Sequence, residues 1–244
     1  MGGMVLEKLY IVIPAYNEEA NIEKVVRQWH QVACQTGPEA RLVVVNDGSR
    51  DGTAQKLEAL ARELPALIPL TTPTGGHGAA CLFGYRYALE QGADYIFQTD
   101  SDGQTLPEEF APFWEQRAGY DLVIGRRVHR GDGFSRWVVT KVLKYVTLFF
   151  LRAYTADPNT PYRLMKRDFL ARCLELIPEN FFLPNVLIAA FAARMDLPVL
   201  SLPVSFLPRQ GGVNSLNLAR IFRIGLKAVG DFRRVDRALR RQGL

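Results

Sequence analysis

Short apolar runs recur along the first half of the chain: "LYIVIP" at 9–14, "RLVVVN" at 41–46, "ALIPL" at 66–70, "YIFQT" at 95–99 and "DLVIG" at 121–125. Longer stretches with helical spacing of apolar residues lie between them, near 18–35, 53–64, 77–92 and 106–118. The runs are continuous rather than alternating, which is the pattern of strands covered on both faces. The alternation predicts an α/β fold with a mostly parallel central sheet and helices on both faces. In such sheets the ligand lies beyond the carboxyl ends of the strands.

After Gly125 the pattern changes. Residues 134–154, "FSRWVVTKVLKYVTLFFLRAY", read as a long apolar helix interrupted by Lys141 and Lys144. The uncharged run after Lys144 is "YVTLFFL", too short for a hydrocarbon layer of roughly 30 Å, so no transmembrane segment is expected. Residues 198–206 read as a late strand, with Pro203 favouring a sheet edge. A last helix sets Ile221, Phe222, Leu226, Val229, Phe232 and Leu239 among basic residues. The expected division is one unit over 1–215 and a basic amphipathic helix over 216–244.

Charge sharpens that division. Residues 216–244 hold eight Lys or Arg and two Asp, a net +6 against +5 for all 244 residues, which leaves −1 on the first 215. The basic excess belongs to the tail and suits an anionic partner. Apolar residues make up 48% of the chain, enough for a buried core. Cys34, Cys81 and Cys173 are odd in number with no CxxC spacing, which argues against a disulfide framework or zinc site and fits a reducing cytoplasm. The opening "MGGMVLEKLYIVIP" does not read as a signal peptide.

Four turn-rich motifs follow the strands. In "PAYNEEANI" (14–22), Pro14 is expected to end the strand and Asn17 to start the helix, with Glu18 and Glu19 in its first turn. In "VVVNDGSRDGT" (43–53), Asn46 and Asp47 follow a buried strand, where carboxylates hold ribose hydroxyls or a base edge; Thr53 is placed to cap the next helix. "TPTGGHGAA" (72–80) permits close backbone approach but matches neither a P-loop nor a dinucleotide fingerprint. His77 there reads as a surface histidine, and His30 and His129 receive no role.

The fourth is "QTDSDGQT" (98–105). It reads either as an acidic surface turn or as a cation site. Asp100 and Asp102 can share one divalent ion, and Gly103 lets the chain turn so that Gln104 adds an amide oxygen. Hard oxygen donors select Mg²⁺ or Mn²⁺, which usually keep substrate phosphates as co-ligands.

Taken together, "IVIPAYNEE", "VVNDGSRDGT", "GGHGAA" and "TDSDGQ" resemble, in order and spacing, the family-two inverting glycosyltransferases of the GT-A fold, over roughly residues 8–215. The dolichyl- and polyprenyl-phosphate sugar synthases of that family are the nearest match, since their acidic motif also ends in Gln. The resemblance implies that Pro14, Tyr16, Glu18, Asp47 and Asp100 bind the nucleotide sugar, and that Asp100, Asp102 and Gln104 hold the metal. On the acceptor side, the family's Gly-x-Arg is similar to Gly125, Arg126 and Arg127. Its Arg-x-x-x-Ser resembles the stretch from Arg136 to Thr140, with Thr for Ser. Its Asp-x-x-x-Gly-Phe-Arg resembles the stretch from Asp157 to Arg163, with Pro161 for Gly, and its late Arg-x-x-Gly-x-Ser-Lys is loosely matched from Arg209 to Ser215. Arg126 and Arg130 read as solvated surface charges.

The implied reaction is inverting transfer of a sugar from a UDP- or GDP-sugar to a polyprenyl phosphate, with Asp102, Arg127, Arg136 and Arg163 as catalytic residues. Arg127, Arg136, Thr140, Arg163, Arg209 and Ser215 would hold the acceptor phosphate, since guanidinium forks match phosphate oxygens. A phosphate acceptor needs no general base. Transfer to a sugar hydroxyl of a glycan or glycolipid would need one, and Asp157 is the candidate; a non-catalytic nucleotide-sugar-binding protein is the third reading. The expected setting is cytoplasmic, on the cytoplasmic face of a membrane or beside a membrane-protein partner. A homo-oligomer is allowed, and no nucleic-acid partner is expected.

Overall fold

The structure is a computed structural model that describes residues 7–128, 157–179, 181–208 and Arg237. Seven strands form one sheet in the order β3-β2-β1-β4-β6-β5-β7. The first four are β1 (Leu9–Ala15), β2 (Arg41–Asn46), β3 (Leu67–Thr71) and β4 (Tyr95–Gln98), all parallel. β5 is Leu122–Arg127, β6 is Arg163–Lys166 and β7 is Val199–Val204. The helices are α1 (Ile22–Thr36), α2 (Thr53–Glu63), α3 (His77–Glu90), α4 (Ala111–Glu115), α5 (Arg167–Leu176) and α6 (Pro184–Arg194).

The continuous apolar strands are explained by two cores. Leu9, Ile11 and Ile13 of β1 face a core with Val25, Trp29 and Phe113. Tyr10 and Val12, one residue out of phase, face a core with Ala80, Tyr85, Phe169 and Ile188. β2 divides likewise, with Leu42 and Val44 on the first side and Val43 and Val45 on the second. A period of two with both faces buried leaves no polar position to see. Trp29 fixes the first core, with ring centroids 5.3 Å from Phe97 and 5.9 Å from Tyr162.

β7 is a sheet edge that pairs parallel to β5, with Pro203 opposite Arg126, as the proline suggested. β6 was not expected. It is four residues long, runs antiparallel between β4 and β5, and begins with a buried arginine. The predicted helix over 106–118 is broken into α4 and two short 3₁₀ turns, at Pro107–Glu109 and Arg117–Gly119. The apolar helix over 134–154 and nearly all of the basic tail lie outside the described residues. Among the described residues, no helix is long and apolar enough to cross a membrane.

The contact between α3 and the sheet is set by Gly84. A β-carbon there would overlap Val12 Cγ1 and sit 3.1 Å from Val45 Cγ2. Alanine would gain about 1 kcal/mol of helix propensity over glycine. Crowding two rigid β-branched side chains costs about 1–3 kcal/mol, so the loss wins. Gly84→Ala is expected to lower the melting temperature by about 4 °C in a thermal scan followed by circular dichroism. A melting temperature that holds or rises would mean that α3 can lift off the strands.

Candidate active site

The loops after β1, β2, β3 and β4 gather at one end of the sheet, where strand order reverses between β1 and β4. In α/β sheets this crevice is the ligand site. The first two loops are zipped together. Arg50 N–H donates to Asn17 Oδ1 (2.8 Å), Asn17 N–H to Ser49 Oγ (3.0 Å), and Gly52 N–H to Glu19 Oε2 (3.0 Å). Glu18 is buried, with its N–H donating to Thr53 Oγ1 at 2.9 Å.

These bonds correct the predicted helix starts. α1 begins at Ile22, not near Asn17, which adopts φ +54° and serves the loop contact instead. Glu18 and Glu19 precede the helix. Thr53 is the first residue of α2 rather than its cap, which is Gly52; Thr53 N–H donates to Asp51 Oδ1 at 3.0 Å, in the turn before the helix. Pro14 does not end β1, which runs to Ala15. Val12 O accepts from Thr99 N–H on the β4 side. Pro14, two residues on, faces the same side beyond the last β4 residue, so its missing N–H costs no ladder bond.

Asp47 binds the glycine loop rather than facing it. Gly75 N–H donates to Oδ1 and Gly76 N–H to Oδ2, each at 2.8 Å, and the side chain is buried. Asp47 N–H donates to Ala15 O at 2.9 Å, and the next residue, Tyr16, is exposed on the rim of the first loop. Gly48, at φ +68°, leaves room for Thr74, whose hydroxyl a β-carbon would strike. Three of the four motifs therefore form one framework.

The acidic loop is closed at its neck by Thr99 Oγ1 and Thr105 Oγ1, 2.7 Å apart and buried. Gly103 turns the chain at φ +71°, and Gln104 N–H donates to Asp102 Oδ1 at 3.1 Å. Gln104 Nε2 donates to Leu207 O and Leu207 N–H to Gln104 O, both at 2.8 Å. The Gln104 amide thus ties the loop to the segment after β7.

His77 is the residue that sequence reasoning undervalued. Its Nε2 lies 3.0 Å from Asp100 Oδ1, and Cys81 Sγ lies 3.8 Å from its Nδ1. The Cys81 sulfur, then Asp100, push the imidazole of this exposed side chain well above its ordinary range. Burial pushes the Asp100 carboxyl up. The His77 charge and hydrogen bond, the Arg127 charge and a Gln98 hydrogen bond outweigh it, and the net direction is down. The available signal was positional: His77 opens a helix at the carboxyl ends of the strands.

On the acceptor side the structure separates the predicted arginines. Arg127, at the end of β5, pairs with buried Asp157 (Nε to Oδ2, 3.0 Å), and its guanidinium stacks 4.8 Å over Phe206. Arg163 does not join it. Fully buried, it donates from Nε to Thr160 O (3.0 Å), from Nη1 to Asn185 O (2.7 Å) and from Nη2 to Pro158 O (2.9 Å) and Thr160 O. Burial pulls its pKa down to about 10, so it stays charged at neutral pH. With its guanidinium spent on backbone carbonyls, Arg163 is a tie between loop 157–162 and α6, not an acceptor ligand. Arg136, Thr140, Arg209 and Ser215 lie outside the described residues.

Among the described residues no group of three or more His, Cys, Asp or Glu could hold a metal. Two neighbouring carboxylates, Asp100 and Asp102, still fit a hard divalent cation whose remaining ligands are substrate phosphates and water.

The glycosyl transferase family 2 model matches residues 10–174. The chain is 29% identical over 95% of its length to the polyprenol monophosphomannose synthase of Mycolicibacterium smegmatis, covering 90% of that protein. It is 27% identical to the undecaprenyl-phosphate mannosyltransferase of Micrococcus luteus, over 91% of this chain and 95% of the other. Its fold is similar to that of glucosyl-3-phosphoglycerate synthase from Mycobacterium tuberculosis, solved with Mn²⁺ and UDP-glucose. The TM-score is 0.63 at 19% identity, over 95% of this chain and 83% of that one. A mostly parallel sheet with an acidic loop at its switch point and a family match over most of its length lead to one conclusion: the chain belongs to glycosyl transferase family 2 and is a glycosyltransferase of the GT-A fold.

Proposed function

We propose that the protein transfers a sugar from a UDP- or GDP-sugar to a polyprenyl phosphate, inverting the anomeric carbon. The observation that carries this reading is Arg127, a cation at the carboxyl end of β5 whose guanidinium is held by Asp157 and Phe206. It sits in a chain similar over nearly all its length to a polyprenol monophosphomannose synthase. A phosphate bound at Arg127 is already anionic and can attack without a base. The bond from the anomeric carbon to the acceptor oxygen forms as the bond to the nucleoside diphosphate breaks, and the diphosphate leaves.

Asp100 and Asp102 would hold Mg²⁺ or Mn²⁺, which when bound offsets charge developing on the leaving diphosphate. The framework of Glu18, Asp47 and the glycine loop fixes the donor side before substrate arrives. A lipid acceptor places the enzyme at a membrane surface, and the +6 charge of residues 216–244 suits anionic headgroups.

The test is incubation of the purified chain with labelled UDP- and GDP-sugars, Mn²⁺ and a short polyprenyl phosphate. The expected product is an inverted sugar phosphate on the lipid; transfer only to glycan hydroxyls would overturn the reading. Asp157→Asn separates the two chemistries. Asparagine keeps an oxygen acceptor for Arg127, so transfer to the lipid phosphate should stay within about tenfold. Loss of a general base would instead cost about 10²–10⁴ in rate.

A further inference from the structure

A chain of buried amides runs from the second core to Asp100. Gln98, at the end of β4, is fully buried, and its Nε2 donates to Asp100 Oδ1 at 3.1 Å and to Thr99 O at 3.2 Å. Both partners can only accept, so Gln98 must present its NH₂ to them and its Oε1 the other way. Asn185 Nδ2 donates to that Oε1 at 2.8 Å, and Tyr85 O–H donates to Asn185 Oδ1 at 2.8 Å. Asn185 and Tyr85 are themselves buried. Asn185 sits in the first turn of α6, whose backbone Arg163 holds through Asn185 O. Each link dictates the orientation of the next.

Resting on the metal reading above, we propose that Gln98, Asn185 and Tyr85 are positioning residues for Asp100. They fix the carboxylate through one oxygen so that the other is presented to the divalent cation. His77 also meets Oδ1, so both described hydrogen bonds to Asp100 fall on that atom. Without Asn185 the buried Gln98 Oε1 loses its donor and the side chain loses the contact that anchors it on that side. The amide can then draw away from Asp100, and the carboxylate loses a donor.

The experiment titrates Mn²⁺ into the 244-residue chain with saturating UDP, and separately GDP, reading free Mn²⁺ by electron paramagnetic resonance. Partners behind a metal ligand typically change affinity by roughly 10–100-fold. Gln98→Met should weaken Mn²⁺ binding at the lower end of that range or beyond, Asn185→Leu by less, and Tyr85→Phe by about two- to threefold. Tyr85→Phe keeps the ring in place and is the variant expected to fold whatever the others do. Variants that lose melting temperature but keep the Mn²⁺ dissociation constant would overturn the proposal, because a purely structural network predicts that result. Asp102→Ala is the control. If it abolishes Mn²⁺ binding while the three variants bind normally, this inference fails alone; if it too binds normally, the metal reading fails and takes the inference with it.

Discussion

Asp102→Ala is expected to lower sugar transfer by at least about 10²-fold and up to 10³-fold, the loss seen when one preorganised electrostatic partner of a transition state is removed. The melting temperature should hardly move. Asp102 lies on a loop whose shape is set elsewhere: by the Thr99–Thr105 bond at its neck, by Gly103 at φ +71°, and by the Gln104–Leu207 exchange. The carboxylate accepts from Gln104 N–H, and Gln104 is held independently by its exchange with Leu207. Initial rates at saturating donor, with melting temperature measured alongside, check this. Retained transfer would rule out Asp102 as a cation ligand.

Arg163→Met is expected to do the reverse, unfolding the protein well before it touches the chemistry. The methionine fills much of the same space but leaves carbonyls of Pro158, Thr160 and Asn185 without the guanidinium that serves them. Each buried carbonyl left unpaired costs about 1–3 kcal/mol. Removing a buried charge returns some of its desolvation cost, but that gain dominates only when the polar partners are removed as well. A net loss of about 3–5 kcal/mol is a large part of a typical domain's stability of about 5–15 kcal/mol, and lowers the melting temperature by roughly 10 °C. Arg163→Lys should fall between the two, since one ammonium cannot reach three separate carbonyls. Had Arg163 held the acceptor phosphate, Arg163→Met would raise the acceptor KM and spare the melting temperature.

That contrast shows where sequence reasoning reached and where it stopped. β1, β2 and β4 were legible because each is buried on both faces, and no surface position interrupts the run. The loops that follow were legible because their glycines and carboxylates sit together in short motifs. β6 was hidden because its four residues begin and end with a basic side chain, which reads as solvent-facing. The role of Arg163 follows from three backbone carbonyls, and no side-chain pattern encodes those. Gln98 and Asn185 are 87 residues apart and only the fold joins them. His77 was visible, but its partner Asp100 lies 23 residues on, across the crevice between β3 and β4 loops.

The reciprocal bonds between Gln104 and Leu207 carry a practical consequence for dissecting the tail. They act as a short two-point rivet, so the segment leaving β7 is part of the acidic loop's support although it lies about a hundred residues away in sequence. A truncation meant to delete only the basic residues from 216 onward keeps that rivet, whereas one that starts before Leu207 removes it. Shortened forms that stop just after Val204 should therefore lose cation affinity for a reason unrelated to membranes, and comparisons of tail function need an end point beyond Pro208.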